Sequence, residues 1–277
     1  MVLEELYSAD WLKQKPLFAF LLGISYSIVG MGAAIFLFPN DPALVAVAIT
    51  SMLMLPLLRN LVSALEESSF ISLFHQNKDA FKIYILLFLG SFLTFAFFSA
   101  ALPSLAANFL FKNQLQLYFG GIAGDAFSTG LFFDLFNNNL KVLIFSFIFS
   151  LILGGGSIFI IMWNASLWGT IFGMLAKIAA GTTGQNPWLL FGLIFLIVFP
   201  HMILEVSSYM LAAISGSMFS LDVLKEKFLS ENFKSILRNS LYVLIFAVIV
   251  LIIAVLVEVY VLQTFTIYRT IVKAAFS

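Results

Sequence analysis

The sequence predicts an all-α fold: a polytopic transmembrane helical bundle of about seven spans. Three observations carry that prediction. Apolar residues make up 62% of the chain and charged residues 10%, with a mean hydropathy of +1.06, against roughly 25% charge in soluble domains. The apolar residues run continuously over lengths that match a spanning helix, about 20 residues. In lipid the backbone must satisfy its own polar groups, so only helices or a closed barrel can cross. Barrel strands alternate in short segments, and these runs do not.

The elements follow in order. Leu17–Asn40 is free of charge and reads as the first span, closed by the turn Pro39-Asn40-Asp41-Pro42. Ala43–Leu58 returns as the second and runs on as an amphipathic helix with Arg59, Glu66 and Glu67. The polar stretch His75–Lys82 leads into the third span, Ile83–Leu102. Pro103–Asn139, with Gly120, Gly121, Gly124, Asp125 and Asp134, has room for a short interfacial helix or a re-entrant piece. Val142–Ala176 carries no charge over 35 residues, too many for one ordinary span. "WNAS", Trp163–Ser166, offers a break with Asn164 or Ser166 as a helix cap. The fourth span is therefore expected at Leu140–Met162 and a short fifth at Leu167–Ala180, leaving six spans if the fifth does not cross. Trp188–Ile214 is the sixth span, Asp222–Arg238 a charged loop, and Leu241–Leu262 the seventh. One membrane domain covers 1–277: an N-terminal helical hairpin with a polar connector over 1–77, then a core over 78–262.

Lysine and arginine placement orients the bundle. With seven spans, Lys13, Lys15, Arg59, Lys78, Lys82, Lys225, Lys227, Lys234 and Arg238 share one side. Lys112, Lys141, Arg269 and Lys273 lie on the other, with Lys177 near that end. The expectation is a multi-pass protein of the cell membrane with its N-terminus cytoplasmic and its C-terminus outside. No cleavable leader is expected, because the first sixteen residues are polar and mixed in charge. Fourteen basic residues balance fourteen acidic ones, so net charge indicates no acidic or basic partner. No nucleic-acid, nucleotide or GxSxG motif is present. The absence of cysteine excludes disulfides and thiolate metal sites.

The chemistry-bearing stretch is "FPHMILEVSSYM", Phe199–Met210. His201 and Glu205 are four residues apart and share one helix face, which Ser208, Ala212 and Ser215 continue. His201 falls about 20 Å into the span at ~1.5 Å per residue. Ionisable residues at such depth face the bundle interior or a water-filled cavity. Pro200 removes a backbone donor and predicts a kink before it. Three readings compete: buried hydrogen bonds that fasten the sixth span, an ion, proton or substrate path, and intramembrane catalysis. A zinc protease would want HExxH and a third ligand; the chain has only His75 and His201, so no metal site or cofactor is read from spacing.

Gly169 and Gly173 form a GxxxG that lets helix backbones approach, as an intramolecular contact or, alternatively, a homodimer seam. Gly154-Gly155-Gly156-Ser157 lacks the lysine ending of a phosphate loop and reads as a close crossing or a flexible point in the fourth span. Asp134 and Asn137–Asn139 precede that span, where Asn139 suits an N-cap and Asp134 the positive helix end. Glu258, near the end of the seventh span, reaches the interface, pairs with Lys141 or Lys177, or joins the His201, Glu205 and Ser208 face in an ion path.

A set of motifs in order carries a resemblance. These are "KDAFKIYILLFLGSFLTFAFFSAALP" (78–103), "LFNNNLKVLIFSFIFSLILGGGSIFIIMWNASLWGTIFGML" (135–175), "FPHMILEVSSYMLAAISG" (199–216), and a charged loop before a last span. Together they resemble the stage II sporulation protein M family of membrane proteins, in its archaeal-type branch. The chain departs from the family's common Pro-His-Gly with Met202, and from its usual aliphatic run with Ser207 and Ser208. The resemblance implies a non-enzymatic scaffold, since the bacterial sporulation member anchors wall hydrolases at a septal membrane. The expected partners are the lipid bilayer and other membrane proteins. A small channel or transporter and an intramembrane hydrolase are the alternatives.

Overall fold

The computed structural model describes residues 9–66, 78–121, 130–153, 157–219 and 230–276, and all regular structure among them is helical. In chain order the helices are α1 (Ala9–Gln14), α2 (Leu17–Leu37), α3 (Pro42–Glu66), α4 (Lys78–Ala101), α5 (Ser104–Leu110) and α6 (Lys112–Gly121). They continue as α7 (Leu131–Leu153), α8 (Ser157–Thr183), α9 (Pro187–Met218), α10 (Glu231–Thr264) and α11 (Thr266–Phe276). Six of them, α2, α4, α7, α8, α9 and α10, are long and apolar enough to cross a membrane, and α3 adds the shorter apolar stretch Pro42–Leu57. The protein is a helical polytopic bundle.

The charge-free run divides at a different point from the one expected. α7 begins at Leu131 rather than Leu140, and α8 is a full helix of 27 residues instead of a short fifth span. Trp163–Ser166 stays helical because its polar side chains bond to the preceding turn. Asn164 Nδ2 donates to Ile160 O at 2.8 Å and Ser166 Oγ to Trp163 O at 2.9 Å. Such back-bonding lets polar residues ride inside a helix without ending it. Asn164 therefore caps nothing, and Asn139 is likewise buried within α7 rather than at its start. Asp134 does occupy the first turn of α7. α7 ends at Leu153 and α8 starts at Ser157; Gly154, Gly155 and Gly156 lie outside the described residues, as do Glu67, His75, Gly124 and Asp125.

Two further segments fold more regularly than expected. The second half of the charged loop is the opening of α10, where Ser230 accepts from Phe233 N–H at 3.2 Å and Lys234 pairs with Glu231 at 2.8 Å. After Pro103, α5 and α6 turn back onto the bundle. Gln114 is fully buried and its Nε2 donates to Ser166 Oγ of α8 at 3.3 Å.

Small residues fix the crossings. A Cβ at Gly90 would stand 2.2 Å from Phe20 O of α2, and Cβ atoms at Gly169 and Gly173 would each stand 2.4 Å from the carbonyls of Phe92 and Ala96 in α4. The GxxxG face of α8 is thus taken by α4 of the same chain. Phe88, Phe92 and Phe95 of α4 are fully buried beside it. α9 lies at the centre, packed on α7, α8 and α10. Pro200 is inside α9 and exposed. α11 lays Tyr268, Ile271 and Val272 against α8 and α9.

Candidate functional site

The buried polar stripe of α9 starts with His201 and Glu205, 6% and 2% exposed. Ser208, Ala212 and Ser215 continue it with no exposure. Two of its hydroxyls bond to backbone. Ser208 Oγ donates to Glu205 O at 2.7 Å, and Ser215 Oγ to Ser240 O of α10 at 2.7 Å. Ser240 Oγ returns the bond to Ser215 O at 2.9 Å, so α9 and α10 are clasped at this level.

At the other end of the stripe, three helices converge. α10 brings Glu258 to the pair: one ring nitrogen of His201 and one carboxylate oxygen from each glutamate lie within 4.8 Å of one another. Asn139 of α7 and Tyr209 of α9 also face Glu205. Tyr209 lies one turn beyond Glu205, on the same side of the helix, and is fully buried. Glu258 is half-buried, and its Oε2 is buried.

The hydrogen bonding of this cluster is incomplete. His201 Nδ1, Glu205 Oε1, Tyr209 Oη and Glu258 Oε2 are all buried without a partner. A polar group left unpaired in a medium that cannot bond it costs several kcal/mol, in the range of ~2–7. The groups facing Glu205 are His201, Glu258, Tyr209 and Asn139, with no lysine or arginine among them. The cluster can therefore take up positive charge, from protons or from a metal ion.

Of the places expected for Glu258, the structure gives the one beside His201 and Glu205. Lys177 Nζ donates instead to Leu102 O, at the C-terminal end of α4, where helix carbonyls lack intrahelical donors. Asn139, expected as a cap, joins the cluster. Tyr209 was not among the expected site residues. Its spacing from His201 and Glu205, eight and four residues along one helix, is the sequence signal that would have found it.

Among the comparisons with known proteins, the family model described as Stage II sporulation protein M matches residues 84–262. The match takes in α7 to α10, and with them every member of the cluster. No curated protein and no solved structure matches the chain.

Proposed function

The chain belongs to the stage II sporulation protein M family, and from that premise we propose that it is a non-enzymatic membrane scaffold, a stiff helical platform that recruits other membrane proteins. The observation that supports this reading is the sealing of the polar centre, with His201 at 6% and Glu205 at 2% exposure. A permeation path places water at such groups. Alternating access, in addition, requires one part of a bundle to rock against another. Here α4 meets α2 and α8 backbone to backbone at Gly90, Gly169 and Gly173, and packed interfaces of that kind do not deform continuously. In this reading His201 and Glu205 fasten α9 to its neighbours. Recruitment runs through segments 59–82 and 222–238 on the cytoplasmic side and, on the outer side, through the part of 103–139 that precedes the buried Asn139 of α7.

Ion handling is the second reading, and one observation favours it. Glu258 is only half-buried while one of its carboxylate oxygens lies within 4.8 Å of the buried pair, which supports a route for protons or cations.

Cross-linking mass spectrometry in native membranes tests the first reading. Reproducible cross-links to one or a few membrane proteins, concentrated on those three segments, are the expected result. The purified chain in liposomes tests the second. Proton or cation flux that is lost in Glu205→Gln, with the fold intact, would replace the scaffold reading by the conducting one.

A further inference from the structure

We propose that His201, Glu205 and Glu258 bind one divalent metal cation in the core of the bundle, of the zinc or manganese class. The site stands apart from partner recruitment and does not depend on it.

Geometry comes first. Donor atoms held at about 2.1 Å from one ion sit roughly 3–4 Å apart. The three donors lie within 4.8 Å, so small rotations of the glutamate side chains close the set. The residues come from α9 and α10, and the Asn139 amide of α7 faces the same carboxylate.

Satisfaction comes second. His201 and Glu205 are more than nine-tenths buried, and His201 Nδ1, Glu205 Oε1 and Glu258 Oε2 have no hydrogen-bond partner. Buried polar atoms are normally paired, and exceptions call for a missing water or ion. Glu258 and Glu205 face each other without a lysine or arginine to balance them. Two ionised carboxylates and a neutral imidazole carry two negative charges. One divalent cation neutralises both and supplies each donor with a bond.

Donor type comes third. Imidazole suits zinc and other late transition metals, and carboxylates suit manganese and harder ions. One nitrogen with two carboxylates is a mixed set that accepts zinc or manganese. Tyr209 Oη, adjacent to Glu205, is placed to orient that carboxylate as an outer partner. The ion would tie α9 to α10 in the interior, as the serine clasp ties them at Ser215 and Ser240.

The full chain in nanodiscs tests this. Metal content is read by elemental mass spectrometry before and after chelator treatment, and again after adding ZnCl2 or MnCl2 alone. About one equivalent per chain should be retained or rebound, and the melting temperature of stripped protein should rise by several degrees on addition. Glu258→Gln and Glu205→Gln should each weaken uptake at least tenfold. Pulsed EPR of the manganese-loaded protein should detect an imidazole nitrogen that survives His75→Gln. If stripped wild-type protein takes up neither metal and its melting is unchanged, the two carboxylates hold protons and the proposal fails. It fails equally if uptake is the same in the Glu205→Gln/Glu258→Gln double variant, or if the EPR signal lacks nitrogen coupling. Should the variants not fold, stoichiometric wild-type uptake together with that nitrogen signal carries the proposal, and the lack of either ends it.

Discussion

Tyr209 and Ser215 sit on the same helix in opposite condition, the first with its hydroxyl buried without a partner and the second clasped both ways to Ser240 of α10. They make different predictions. The clasp should show a coupling energy of about 0.6 kcal/mol, and no more than ~1.7, the range of interhelical bonds in membrane proteins. A double-mutant cycle of Ser215→Ala and Ser240→Ala, read from unfolding in mixed micelles, measures it; additivity would mean the bonds contribute nothing net. Tyr209→Phe keeps the ring and removes only the hydroxyl. As an outer partner of a metal site it should weaken metal affinity about 10- to 100-fold without abolishing it, measured by chelator competition. An unchanged affinity would remove Tyr209 from the site. The sequence made His201 and Glu205 legible, because an i,i+4 pair in an apolar run requires only the helix period. For Glu258 it offered a place beside them only as one alternative among several. That contact spans two helices, and a lone glutamate near a span end fits several partners equally.

At the scale of the helix, glycine position separates close crossings from open surface. Gly90→Ala puts a Cβ 2.2 Å from Phe20 O and 3.2 Å from Gly23 Cα, both backbone atoms. It should destabilise the bundle by about 1–3 kcal/mol, the usual cost of overpacking. Gly192→Ala, in α9 with nothing within 4 Å of the added carbon, should instead be neutral or stabilise by up to ~1 kcal/mol through helix propensity. Equal effects in the same unfolding assay would mean that the crossing tolerates a methyl group and that α2 and α4 are less closely fixed. The existence of these helices was legible in the sequence, since a long apolar run in lipid has one regular solution. Their limits were less so. Asn164 and Ser166 look like a break to a reader who counts polar residues. Their bonds to Ile160 O and Trp163 O use the helix's own carbonyls, a local option that composition does not reveal. Asn139 misled in the same way: its partner is Glu205, across a helix interface, and not an exposed amide at the start of α7.

For the whole molecule, the open quantity is which ends share a side, and it turns on α3. Its apolar part, Pro42–Leu57, is shorter than an ordinary span. The complete helix has 25 residues, about 37 Å at ~1.5 Å per residue, enough to cross a ~30 Å core. If α3 crosses, five helices (α2, α3, α4, α7 and α8) separate Gln14 from Gln185, and the two lie on opposite sides. If α3 does not cross, four remain and the two lie together. Crossing also gathers Lys13, Lys15, Lys78, Lys82, Lys234 and Arg238 on one side, in keeping with the cytoplasmic bias of basic residues, whereas without it Lys13 and Lys15 lie opposite the other four. The chain has no cysteine, so Gln14→Cys, Asp41→Cys and Gln185→Cys each report one position without background. All three positions are exposed. An impermeant maleimide applied to intact cells should label Cys variants at Asp41 and Gln185, and the variant at Gln14 only after permeabilisation. Labelling at Gln185 that also waits for permeabilisation would leave α3 on one face of the bilayer. It would also invert every helix after it, and place segment 222–238 outside, where the recruiting surface proposed above could not meet a cytoplasmic partner.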